Sequence, residues 1–212
     1  MSRFNPDCRL CPRLASHLYE VKKDYPGYHA KPVAPFGDEQ PRLLIVGLAP
    51  GMHGANASGR PFTGDFAGIL LYETLHQFGF ANKPVSKHKK DGLRLIKCRI
   101  TNAVKCLPPG NKPAGSEINT CNNYLATEIN ALDTGVVILA LGTIAHNATI
   151  KALGLKQKGY PFAHGYLHAL TGGRSLLDSY HCSRYNTQTG RLTEKMFHEI
   201  FFKIHDVLNT SK

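Results

Sequence analysis

Two periods of hydrophobic spacing alternate along the chain. Four short aliphatic runs, Arg42 to Gly47, Leu95 to Ala103, Val136 to Leu141 and Leu176 to Tyr180, read as strands, and each ends in glycine-rich or polar text. Between them the spacing becomes helical. Leu71, Leu75 and Phe78 recur at i, i+4 and i+7, and Ile144 to Leu153 follows an LGT turn. From Leu192 to Leu208, the residues Met196, Phe197, Ile200, Phe201, Ile204 and Leu208 share one stripe. This alternation predicts a three-layer α/β/α fold around a central, mainly parallel four-stranded sheet. The Gly- and Pro-rich CLPPGNKPAGS and the basic ANKPVSKHKKDG read as surface loops.

In a parallel sheet the loops that leave the strands gather on one edge, where ligands bind. That edge would collect GLAPGMHGANASGRPFTGD (residues 47–65), TNAVKC, LGT and HCSRYNTQTGR. The first of these loops holds five glycines, one carboxylate and one phenylalanine. It has no Gly-Lys-Ser/Thr of a Walker loop and no G-x-G-x-x-G of a dinucleotide fold. Its backbone amides, with His53, Asn56, Phe62 and Asp65, suit a flat, hydrogen-bonding heteroaromatic ring such as a nucleobase taken out of its stack.

Composition narrows the setting. A chain of 212 residues that is 42% apolar and 19% charged can bury one substantial core, so residues 1–212 are expected to form a single domain. The amino terminus, MSRFNPDCRLCPR, lacks the apolar stretch of a secretory signal, and VVILAL is too short to span a bilayer. A cytoplasmic monomer with no membrane contact is the expectation. Lys and Arg outnumber Asp and Glu by 26 to 15, a net charge of +11. Such a balance suits a polyanion, which makes nucleic acid the leading partner, although the same charge also serves general solubility.

Inside a cell, six cysteines are thiols or metal ligands before they are disulfides. Cys8 and Cys11 form a C-x2-C pair, and Cys106 and Cys121 a second pair fifteen positions apart. Four thiolates suit Zn²⁺ or a [4Fe-4S] cluster, and the long second gap leaves room for the bulkier group. Four buried small hydrophobes are the plainer alternative. Cys98 lies in a strand and reads as core, and Cys182 is left over.

These motifs together resemble the uracil-DNA glycosylase superfamily, in particular its iron–sulfur-containing type 5 branch. The resemblance rests on GLAPGMHGANASGRPFTGD, TNAVKC, HCSRYNTQTGRLT and the four cysteines, and runs from Cys8 to Thr193. Leu48 stands where type 4 enzymes carry Glu, and Cys182 stands where the family's histidine motif usually has Pro. The resemblance implies a monofunctional DNA repair hydrolase that flips uracil from double- or single-stranded DNA and leaves an abasic site. It also implies acceptance of other deaminated bases such as hypoxanthine, for which Ala55 and Ala57 leave room.

It further implies roles. Phe62 would stack on the base and Asn102 would pair with its Watson–Crick edge, while His181 would donate to O2 as charge builds there. Asp65 would stabilise the oxocarbenium-like sugar and orient water. The amides of Gly51 and Met52 would also hold O2, with His53 and Asn56 near the water. Arg184, Tyr185 and Arg191 would meet the DNA. Cys8, Cys11, Cys106 and Cys121 would hold a structural [4Fe-4S] cluster that tethers segment 1–40.

Each role has a plainer competitor. Asp65 can be the N-cap of a helix starting at Phe66, Phe62 a core residue, Asn102 a partner for backbone, and His181 an interior histidine. Lys87 to Lys90 reads as a solvated loop. Two other classes remain: a non-catalytic iron–sulfur DNA-binding module, and a nucleoside N-glycosidase or deaminase. The zinc deaminase pattern H-x-E with P-C-x-x-C is absent.

Overall fold

Four five-residue segments make the inner strands, LLIVG and VILAL apolar and CRITN and SLLDS mixed. The computed structural model describes residues 4–210. Its strands are β1 (Phe36–Gly37), β2 (Leu43–Gly47), β3 (Cys98–Asn102), β4 (Val137–Leu141), β5 (Leu167–Ala169) and β6 (Ser175–Ser179). They lie in the order β1-β3-β2-β4-β6-β5. The inner four are parallel to one another, and β1 and β5 pair antiparallel at the two edges. The sheet therefore has six strands rather than the four expected. The additions are two and three residues long, too short to carry an alternation pattern.

The helices are α1 (Pro12–Asp24), α2 (Ala55–Ser58), α3 (Phe66–Gln77), α4 (Gly115–Asn130), α5 (Thr143–Ala152), α6 (Arg184–Gln188) and α7 (Glu194–Thr210). Every residue of β2 and β4 is buried, as parallel strands covered on both sides must be. Successive side chains alternate between the two faces. Leu43, Ile45, Val137 and Leu139 pack with Leu71 and Leu75 of α3 and with Phe197 and Phe201 of α7. Leu44, Val46, Ile138 and Ala140 pack with Leu125 of α4 and Ala148 of α5. Three layers result, as the alternation predicts.

The expected second strand begins only at Cys98. Lys97 sits at φ 51°, a left-handed backbone that cannot continue a strand, and Leu95 makes only an isolated bridge to Ala81. Cys98 and Cys182 are fully buried, so both are core cysteines. Among the described residues no helix is long and apolar enough to cross a membrane.

Candidate base-binding cleft and cysteine recess

The parallel strands deliver their loops to one edge, and a cleft of about 530 Å³ opens there. Gly51, Phe62 and Asp65 enter it from the loop after β2, Asn102 from the end of β3, Thr143 from the start of α5, and His181 from just beyond β6. Residues far apart in sequence thus meet because of strand topology.

Asp65 occupies the N-cap position of α3 by its backbone, yet its side chain makes no bond to that helix. The carboxylate turns back instead, and Oδ2 accepts from the Ala55 amide at 3.0 Å, at the start of α2. Burial pushes its pKa up, opposed by that one hydrogen bond. The turn-back requires glycine: a Cβ on Gly54 would lie 1.9 Å from Asp65 Oδ1, and one on Gly51 would lie 2.4 Å from it. The loop's glycines leave space for a carboxylate.

A second pair of close approaches sets Asn102 and Phe62 at the cleft. A Cβ on Gly47 would come within 2.4 Å of Asn102 Oδ1 and 2.7 Å of the Phe62 ring. Phe62 is buried in the core cluster, at φ 55°, and its ring also lines the cleft. It lies 5.9 Å from the His181 ring at an interplanar angle of 27°. Asn102 Oδ1 and His181 Nδ1 are both buried without a hydrogen-bond partner among the described residues. Desolvation lowers the His181 pKa to about 4, so the imidazole is neutral near pH 7. Cys182 behind it is buried in the core, and its presence where the family usually has Pro leaves His181 in the cleft.

Residues 34–205 match the family described as the uracil DNA glycosylase superfamily. The chain belongs to that superfamily. It is 48% identical to the type-5 uracil-DNA glycosylase of Thermus thermophilus over 92% of this chain and 91% of the relative. To the type-5 uracil-DNA glycosylase of Mycobacterium leprae it is 44% identical, over 92% and 88%. The solved structure of wild-type Pedobacter heparinus SMUG2 shares the fold, with a TM-score of 0.54 at 16% identity over 99% of this chain and 94% of that one.

Within this superfamily fold, the side chains of Met52, His53 and Asn56 do not line the cleft, although the role expected of Met52 is its backbone amide's. The Met52 side chain packs against Leu18 and Val21 of α1. His53 is exposed and its Nδ1 pairs with the Tyr28 hydroxyl at 2.8 Å. Asn56 is buried, with Nδ2 donating to the Met52 carbonyl at 3.4 Å. These side chains brace the loop from behind, because α1 occupies that side, a helix the strand-by-strand reading left out. Arg184 lines the cleft with its guanidinium 5.1 Å from the Phe66 ring, Tyr185 beside it is 69% exposed, and Arg191 lies over Tyr180 at 4.8 Å.

Other cleft residues were not foreseen. Ile144 and Asn111 line it beside Thr143 of the expected LGT loop, and Asn186 holds the His181 carbonyl through Nδ2 at 2.8 Å. Ser183 caps α6 by accepting from the Asn186 amide. Its S-x-x-N spacing was the available signal. The basic loop after Asn82 is also more than a solvated stretch. Buried Arg60 pairs with Asp91 at 2.9 Å, and Asp91 gathers the amides of Lys87, His88 and Leu93.

Cys8, Cys11, Cys106 and Cys121 converge in one recess with Leu14, Val104 and Tyr124. Burial, reinforced by the three neighbouring sulfurs, pushes the Cys106 thiol up to about 12. The Lys105 amide donates to Cys121 Sγ at 3.3 Å, and the buried Lys105 ammonium bonds Glu128 and Thr101. That chain of contacts joins the recess to β3, whose last residue is Asn102. Arg13 of α1 grips Glu117 of α4 through two bonds of 2.8 and 2.7 Å across the same region.

Proposed function

We propose that this chain is a monofunctional uracil-DNA glycosylase of the type 5 kind, a single-domain, cytoplasmic monomer that acts on double- and single-stranded DNA. The observation that carries the reading is the convergence of two buried, unpaired polar atoms, Asn102 Oδ1 and His181 Nδ1, with the half-buried Asp65 carboxylate in one cleft. Buried polar atoms without partners are rare in folded proteins and mark a waiting ligand. A flipped uracil offers the complement. Its N3–H can meet Asn102 Oδ1 and its O4 the amide nitrogen, while its face lies on Phe62.

In the reaction the C1′–N1 bond breaks, and its electron pair leaves with the base, spreading to O2. Neutral His181 donates to that oxygen, an interaction stronger in the transition state than in the ground state. Asp65 stabilises the sugar cation and takes the proton of the water that adds to C1′. Tyr185 fills the gap left in the duplex, and Arg184 and Arg191 contact the strand. The cleft's size also fits acceptance of hypoxanthine and other deaminated bases.

The cysteine recess fits a [4Fe-4S] cluster. All four side chains are thiols, the ligand type such clusters require. The fifteen-position gap between Cys106 and Cys121 leaves room for a group bulkier than a single zinc ion. When bound, the cluster supplies a covalent anchor for segment 1–40 and no chemistry at the base.

The test is incubation with a uracil-containing oligonucleotide followed by alkaline cleavage of abasic sites. Cleavage at uracil alone in a U:A duplex supports the reading. Tight DNA binding without cleavage would make the chain a non-catalytic binding module, and release from free nucleosides only would make it a metabolic enzyme.

A further inference from the structure

Behind the cleft, a second polar group is buried in a wholly different part of the fold. His146 on α5 and Asp178 on β6 are completely buried, and His168 on β5 is 6% exposed. The three ligand atoms they offer lie within 4.8 Å of one another. Phe162, Tyr160 and Tyr166 surround the imidazoles, with ring centroids 5.7, 5.6 and 4.6 Å away. None of these three residues lines the base cleft, and the cysteines are elsewhere.

The hydrogen bonding calls for a positive charge within this group. His146 Nε2 faces the Tyr160 carbonyl at 2.8 Å, and a carbonyl can only accept, so Nε2 carries the proton. In the neutral ring Nδ1 then presents a lone pair, and it points at Asp178 Oδ1 from 2.7 Å. His168 Nε2 is buried 3.4 Å from Asp178 Oδ2 with no hydrogen-bond partner among the described residues. Two ring nitrogens thus converge on one carboxylate. Lone pairs do not pack this closely without a positive charge between them, whether a proton or a metal ion.

We infer that His146, His168 and Asp178 form a structural site for a divalent cation of the zinc class. Two imidazoles and a carboxylate are a ligand set that zinc prefers. The second shell agrees: a metal-bound histidine characteristically donates its other ring N–H to a carbonyl, as His146 does to Tyr160, and an apolar collar excludes water. Tetrahedral ligands around zinc stand about 3.3 Å apart, so the 2.7 Å gap opens slightly as the ion enters and the 3.4 Å gap already fits. A water or the second carboxylate oxygen completes the shell. The ion ties α5 to β6 and to the edge strand β5. Those elements carry Thr143 at the cleft and lead to His181, three residues after Asp178.

The inference is independent of the reading of the cleft. Protein purified anaerobically from zinc-supplemented cultures should carry one equivalent of zinc besides its iron, measured by elemental mass spectrometry. Cobalt in its place should give visible d–d absorption without the near-ultraviolet thiolate band that a cysteine site produces. His168→Gln should lose that equivalent and Cys8→Ser keep it. Nitrogen-15 NMR of the unaltered protein needs no variant: the His146 ring should show one protonated nitrogen and one metal-bound nitrogen. No metal beyond iron, a thiolate-type cobalt spectrum, or a His146 ring protonated on both nitrogens in the zinc-supplemented protein would overturn the site, the last by naming a proton as the occupant.

Discussion

Burial pushes the pKa values of Asp65 and His181 in opposite directions. Asp65 has its pKa raised, so its contribution to stability is full below the ordinary carboxylate value near 3.8 and is lost as pH rises through the folded value. At neutral pH the ionised group is therefore held at some expense to the fold. Asp65→Asn should melt at a higher temperature than the parent, yet its single-turnover rate on uracil DNA should fall by at least ~10²-fold with DNA binding retained. A near-normal rate would return Asp65 to a loop-bracing role through the Ala55 amide. His181 works in the opposite sense. Its pKa drops from 6.5 to about 4, so the unfolded chain binds the proton more readily between those values. Stability from this group is complete above pH 6.5 and declines as pH falls to about 4, by up to ~3 kcal/mol. Urea titrations at pH 7 and pH 4.5 should show a larger loss for the parent than for His181→Asn, and equal losses would contradict the neutral, buried imidazole.

At the scale of elements, the loop after β2 is defined by what its glycines let near. Gly54→Ala puts a methyl within 1.9 Å of Asp65 Oδ1 and should cut the excision rate by about 10²-fold while circular dichroism stays unchanged. Retained activity would mean the carboxylate can move aside. On α6, Tyr185→Ala should slow excision from a U:A duplex far more than from single strands, with U:G in between, because only a paired base has a gap to hold open. Equal losses on all three would show a contact to the flipped nucleotide alone. Strands β2 and β4 and helices α3 and α7 are legible because apolar residues dominate their buried faces. Helix α4 is not: its buried side carries Glu117, Cys121 and Asn122, whose partners are Arg13, the other cysteines and the Ala148 carbonyl. Helix α1 displays a stripe, Leu14, Leu18 and Val21, among surrounding charges, and Met52 of the loop after β2 packs on it. Asp65, Asn102 and His181 were legible only through the loop motifs. Their spacing along the chain says nothing of distance until the parallel strand order is imposed.

Across the whole molecule, α1 connects the cysteine recess to the loop that carries Asp65. Leu14 packs with the cysteines, and Leu18 and Val21 pack with Met52. If the cysteine recess holds the proposed cluster, anaerobically purified protein should absorb broadly near ~400 nm; Cys121→Ser should abolish that absorption and expose residues before Val33 to limited proteolysis, while Cys98→Ser should leave both unchanged. An unchanged proteolytic pattern in the Cys121→Ser variant would mean that Arg13–Glu117 and the apolar contacts hold the segment unaided. The two ends of the sheet have a different consequence. Each outermost strand offers only two or three residues of backbone, and β1 includes Gly37 at φ 120°. A neighbouring copy finds almost no ladder to extend. Each edge is therefore a poor template for strand pairing with another copy of the chain.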